Sequence, residues 1–329
     1  MGNFGNYKIE KLEKIREIRE IKEIEMKKFI LIVFFAACFF ASCQSDNNFD
    51  SADPEAISAN ILKNYRENGM NSWWEILAVY DADENPMDYA GFDEVLASLE
   101  GDSNAKMASY VLVTNISVII GADEGYFEYY GEYKEKLKAV LENPADNYTL
   151  NDYIFACFAL MSSDTHFDPL PFYNHLADMQ KPDGGFSLSG DTGDVDVTAF
   201  AVSALWLIYS YNETTVRFGS AAIDAAVKFL EDSVGENGAL SSFGNANANS
   251  TAAALSSLSR QSENGELLQK IADGLMLFKV KGEAGYSFLE GGASNALATA
   301  QAAIALRDYK NRTSVWEKLY LESLYAYKE

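Results

Sequence analysis

Thr198-Ala-Phe-Ala-Val-Ser-Ala-Leu205 recurs as Thr251-Ala-Ala-Ala-Leu-Ser-Ser-Leu258 and again as Thr299-Ala-Gln-Ala-Ala-Ile-Ala-Leu306. All three fit Thr-Ala-x-Ala-x-x-(Ala/Ser)-Leu. A fourth segment, Tyr153-Ile-Phe-Ala-Cys-Phe-Ala-Leu160, keeps the Ala-x-x-Ala-Leu half. The starts are 45, 53 and 48 residues apart, and two weaker members begin near Trp73 and Ala108. Self-similarity at such a period marks a helical repeat. Segments this rich in alanine have almost no polar face, so as helices they are buried nearly all round.

Between them lie segments with one polar face, at about 56–68, 91–100, 128–143, 170–181, 217–233, 263–281 and 313–327. These read as outer helices covering the inner ones. Strand-type alternation is scarce. The prolines, at 54, 86, 144, 169, 171 and 182, fall in loops or in first helical turns, where proline is tolerated. The expected fold is all-α. Six inner helices and six or seven outer ones would close into an α/α toroid over residues 56–327, with an open solenoid as the alternative.

The loops before the inner helices repeat as well. They read Gln180-Lys-Pro-Asp-Gly-Gly-Phe186, then Glu236-Asn-Gly-Ala-Leu240 continuing to Phe243, then Glu283-Ala-Gly-Tyr-Ser-Phe288. Glycine permits a tight reversal there. The aromatic side chain that follows is expected to plug the end of the barrel.

Gln180-x-x-Asp183-Gly184-Gly185-Phe186, with an outer helix before it and Asp196-Val-Thr198-Ala199 after it, resembles the repeats of the prenyltransferase, terpene cyclase and transcobalamin superfamily. The likeness is nearest to the toroid module of bacterial surface lipoproteins. That module opens on a Trp-Glu helix, here Trp74-Glu75. It continues with an Asp-Val-Asp-Val-Thr-Ala helix, here residues 194–199, and a Ser-Thr-Ala helix, here 250–252. The resemblance covers about residues 56–310 and implies the toroid fold.

Short polar residues recur at the inner-helix starts. Four positions before each repeat start stand Thr149, Asp194, Asn247 and Asn295; two positions before stand Asn151, Asp196, Asn249 and Leu297. Such residues are favoured N-caps, each worth about 1 kcal/mol to its helix. A toroid would also gather these starts on one rim, whose mouth would be lined by Trp73, Trp74, Phe186, Asp194, Asp196, Asn247, Asn249, Tyr286 and Asn295, together with Phe243. A mouth of apolar walls and a few placed polar groups suits a small ligand.

Residues 26–43 read as an export signal. Lys27 and Lys28 precede an apolar run from Phe29 to Ala41, which ends in Ala41-Ser42-Cys43. The run is short for a membrane span. A cysteine just past such a cut resembles the bacterial lipoprotein signal, in which that thiol is acylated. Phe40 departs from the leucine usual three residues before it, and Cys38 is a weaker alternative. Residues 1–25, whose apolar positions recur at every third residue, read as translated upstream sequence, and 44–55 as a polar tether. The expected location is the bacterial cell envelope: extracytoplasmic, and bound to the membrane through a lipid on Cys43.

Formal net charge is −23, and the first 42 residues carry more basic than acidic groups, so the body is more acidic still. No basic patch is visible for nucleic acid. The only body cysteine besides Cys43 is Cys157, and the two histidines, His166 and His175, keep no metal-ligand spacing with a cysteine. No metal or cofactor is evident, and both histidines are expected in solvent.

The resemblance frames the functional alternatives. A cyclase-type enzyme would protonate an alkene from an Asp-x-Asp-Asp motif; Asp194-Val-Asp196-Val197 keeps the middle, proton-donating acid at Asp196 and lacks the third. A transcobalamin-like toroid would hold a corrinoid. A glycan-degrading toroid needs two acids about 5–10 Å apart across a cleft, and no repeat position singles out such a pair. The expected function is binding of a small molecule or surface partner at the rim, without catalysis.

Overall fold

The computed structural model describes residues 54–144, 148–211, 220–242 and 244–327. The export signal with Cys43, residues 1–25, most of the tether and Phe243 lie outside the described residues.

The chain is all-α. Its helices are α1 (Pro54–Asn68), α2 (Trp73–Asp81), α3 (Phe92–Ser98), α4 (Asn104–Ile119), α5 (Tyr130–Glu142), α6 (Leu150–Met161), α7 (Pro169–Asp178), α8 (Val195–Tyr211), α9 (Ala221–Asp232), α10 (Ala248–Gln261), α11 (Gly265–Leu275), α12 (Ala296–Asn311) and α13 (Val315–Ala326). Among the described residues the only strands are the two-residue pair Ser241–Ser242 and Asn245–Ala246, which run antiparallel. No described helix is long and apolar enough to cross a membrane.

Burial separates two kinds of helix, as the composition predicts. Every residue is buried from Met107 to Ser117, from Ser250 to Ser259 and from Ala298 to Leu306. By contrast α9 buries only Ile223, Ala226 and Leu230, at helical spacing. The even-numbered helices form a circuit. α2 packs on α4, α4 on α6, α6 on α8, α8 on α10, α10 on α12, and α12 returns to α2. Odd-numbered helices cover the joints: α5 lies against α4 and α6, α7 against α6 and α8, α9 against α8 and α10, and α11 against α10 and α12. α1 lies against α12. The closing seam is tied by Arg307, whose Nε donates to the Asp81 carbonyl at 3.0 Å and whose Nη2 donates to Asp83 at 2.9 Å.

The repeated sequence has a repeated hydrogen-bond code. The backbone N–H groups of Phe186, Leu240 and Tyr286 donate to the hydroxyls of Thr198, Thr251 and Thr299, at 2.8, 3.0 and 2.9 Å. Those threonines are buried, so a side chain without the hydroxyl would leave the loop N–H unpaired in the core. The N–H groups of Asp194, Asn247 and Asn295 donate to the carbonyls of the same three loop residues, at 2.8, 3.2 and 2.8 Å. Asp183 pins the first loop by accepting from Gly185 N–H at 3.0 Å and Gly193 N–H at 2.8 Å. Gly184 and Gly238 sit at φ +88° and +85°, with the Ala225 and Lys270 carbonyls of the following outer helix where a β-carbon would go.

One element takes a place the pattern does not predict. The segment 313–327 reads as an outer helix, yet the first part of α13 is buried against the inner helices, while Leu321, Leu324 and Tyr325 further along stay exposed. Its Trp316 stacks on Phe158 of α6 at 4.0 Å and meets Trp74 of α2 edge-on at 6.1 Å. Glu317 accepts from Tyr211 at the end of α8 and from Arg260 near the end of α10, the latter at 2.8 Å. Lys318 donates to the Tyr80 carbonyl of α2 at 3.0 Å, and Tyr80 in turn donates to Glu322 at 2.6 Å. α13 therefore fills the end of the circuit where the inner helices finish. Its polar face is spent on their C-termini.

Candidate functional site

With the C-terminal end filled, the opening lies where the inner helices begin. A cavity of about 540 Å³ sits there, lined by α6, α8, α10, α12 and the loops before them. Asn151, Asp196, Asn249 and Leu297, each the second residue of its helix, all line it. These are the residues two positions before the repeat starts. One helical turn deeper on the same faces, four residues on, Phe200 and Gln301 make its floor. Loop residues Ser187, Leu188, Ser189 and Thr192 form one wall.

The polar groups divide into those already engaged and those that are not. Asp194 is the cap of α8: its Oδ1 accepts from the N–H groups of Asp196 at 3.1 Å and Val197 at 3.2 Å. Asn247 and Asn295 do the same for α10 and α12, accepting from Ser250 and Ala298 at 2.9 Å each. Thr149 caps α6 through Asp152 N–H at 3.2 Å. Asp196 is not a cap. Its Oδ1 accepts a long bond from Ser242 Oγ at 3.4 Å, and Ser242 is held by Ser250 at 2.9 Å. Burial pushes the Asp196 carboxyl up to about 6; the Ser250 hydroxyl pulls the other way, and the Asp194 charge adds to the rise. Asn151 Oδ1, Asn249 Oδ1 and Gln301 Oε1 are buried and have no hydrogen-bond partner among the described residues.

The expected site residues thus separate. Asp194, Asp196 and Asn249 line the cavity. Asn247 is buried and Asn295 stands outside the cavity; both are spent on capping. Phe186 and Tyr286 are fully buried and line no part of it, because their main chains bond the repeat threonines and draw the rings into the core. Trp73 and Trp74 stack on each other at 4.3 Å, and Trp74 reaches Phe155, Phe200 and Trp316. Both tryptophans are part-buried in the first turn of α2 and pack against these rings; neither lines the cavity. His175 lies in α7 with its ring edge-on to Tyr153 at 4.8 Å, whereas His166 is exposed.

Gln301 and Phe200 escaped the sequence reading, although adding one helical turn to Leu297 and Asp196 finds both. Leu188 and the serines beside it carry no periodic signal. Among the described residues no cluster of three His, Cys, Asp or Glu side chains could hold a metal ion. Neither a protein-family model nor a curated protein matches this chain.

Proposed function

We propose that the chain is an exported lipoprotein of the bacterial cell envelope. In this reading its circuit of helices is an α/α toroid of the prenyltransferase and terpene cyclase type, and the mouth at the inner-helix starts binds a small molecule without catalysis. The observation that carries the binding reading is the convergence of Asn151, Asp196, Asn249 and Leu297 on one cavity. Capping alone gives the two helix starts that carry asparagine, Asn151 and Asn249, no reason to leave an amide oxygen unpartnered beside a common space. The volume of about 540 Å³ falls within the roughly 300–1,000 Å³ of small-molecule sites. The test is a thermal-shift screen of the full chain against corrinoids, isoprenoids and oligosaccharides. A ligand at 100 times its dissociation constant adds about 2.7 kcal/mol. Asp196→Ala is expected to abolish that shift without lowering the unliganded midpoint. A ligand shift that survives Asp196→Ala unchanged places binding elsewhere and sinks the reading.

The anchor rests on Lys27-Lys28, the apolar run and Cys43. Incorporation of labelled palmitate in a bacterial host should disappear in Cys43→Ser; labelling that persists there rejects Cys43 as the lipid site.

One observation favours the cyclase alternative: Asp196 is a cavity-lining acid whose carboxyl is raised to about 6. Against it, Trp316 fills the barrel axis, and the space left above carries amides, which do not suit a carbocation or a long hydrocarbon chain. Product formation from an isoprenoid would revive that alternative.

A further inference from the structure

The cavity holds a set of unmet hydrogen bonds, and these identify what fits it. Resting on the mouth-binding reading above, we propose that the ligand is an uncharged, polyhydroxylated small molecule of mono- or disaccharide size. Gln301 is nine-tenths buried, lines the cavity, and leaves its Oε1 without a partner among the described residues. Asn151 and Asn249, from two other helices, leave their Oδ1 atoms in the same state. An unmet buried acceptor costs the folded chain, and it is met at no such cost only when a donor arrives. Each of these oxygens lies just under the cavity wall with almost no accessible surface, so a turn of its amide is what brings it to a ligand donor; three from separate helices call for a molecule with several donors spread around it. Hydroxyl groups supply that, and they can also accept from the amide N–H groups.

Charge narrows the class further. The lining contains two carboxylates and no lysine, arginine or histidine, which turns away anions. The starts of α6, α8, α10 and α12 converge with their positive dipole ends toward the same space, which offsets attraction for a cation. Asp194 is committed to its own helix. Asp196 remains, able to accept from two neighbouring hydroxyls. Leu188 and Leu297 at the lip and Phe200 at the floor give apolar surface for the C–H faces of a sugar ring.

The test is calorimetric titration of the full chain with uncharged mono- and disaccharides and alditols, their phosphorylated counterparts, alkylamines and a prenyl alcohol. An uncharged polyol is expected to bind, and its phosphate ester to bind more weakly. Gln301→Leu should cut affinity for the polyol about tenfold or more while keeping or raising the unfolding midpoint, because it removes an acceptor that the folded chain leaves unmet. Asn249→Ala should weaken the same ligand independently. If an amine or the prenyl alcohol binds instead, with the same loss in Gln301→Leu, the mouth remains the site and the polyol class is wrong. If no probe shows binding that these two substitutions weaken, the class and the mouth-binding reading both fall.

Discussion

Burial raises the Asp196 carboxyl from 3.8 to about 6, so the folded chain holds this proton after the unfolded chain has lost it. The consequence has a definite sign. Below pH 3.8 both states are protonated, and the stability of the fold at this group is fully present. As pH rises from there through 6, the unfolded state ionises first, and the contribution to stability is progressively lost. Asp196→Asn keeps an acceptor for Ser242 and carries no charge to desolvate. It is expected to match the parent near pH 4 and to exceed it above pH 7 by as much as about 3 kcal/mol. Denaturant titrations of both chains across pH 4–8 measure this, and an Asp196→Asn chain that is less stable than the parent at pH 8 rules it out. Such a group weakens the fold at neutral pH, as a group kept for a ligand does. At this scale much was legible. Thr198, Thr251 and Thr299 announce themselves because each accepts from the loop before its helix, a demand that only a small hydroxyl-bearing side chain meets in so little space. What distinguishes Asp194 from Asp196 was not legible. Both are short acids at a helix start and both line the cavity, and only the backbone geometry commits the first to capping and leaves the second uncommitted to its helix.

Each hairpin of an outer and an inner helix solves one packing problem. The inner helix is too apolar to face water, and the outer one covers it along a single stripe, as Ile223, Ala226 and Leu230 do on α9. Composition reveals that division well, and all thirteen described helices occupy segments singled out by periodicity or by repeat position. The loops are another matter. Phe186 and Tyr286 read as aromatics at a mouth because they follow glycine turns. Their N–H groups must reach the threonine hydroxyls, however, and that turns both rings inward. α13 exposes the limit of pattern reading most clearly. An amphipathic stripe shows that one face is polar, but not whether that face meets water. On α13 it meets the ends of other helices: Glu317 takes Tyr211 and Arg260, and Lys318 takes carbonyls at the end of α2. Cations near helix C-termini are stabilised by the dipole, so Lys318 is as well placed here as in solvent.

A circuit of six inner helices leaves an axial space that must be filled or hydrated, and this chain fills the lower half with its own last helix. Trp316 is the centre of that filling. It is 4% exposed and touches rings from α2 and α6 directly. Phe200 and Gln301, the floor of the mouth cavity, lie on its upper side beside Trp74 and Ile304. The same layer thus closes the core from below and supports the cavity from above. Trp316→Ala removes an indole from a site bounded by all these elements. The surrounding helices are tied to one another around the ring and can collapse only in part, so the loss should be about 3–5 kcal/mol. The void is apolar on most sides, and apolar voids of this kind take up small aromatic molecules. Added indole should therefore raise the unfolding midpoint of the Trp316→Ala chain in a saturable way and leave the parent unchanged, since a ligand that binds only the folded state stabilises it by mass action. Mouth ligands should also bind less tightly, because their floor has lost its support. A Trp316→Ala chain that loses less than about 1 kcal/mol and ignores indole would mean that Trp316 does not fill the space between the inner helices.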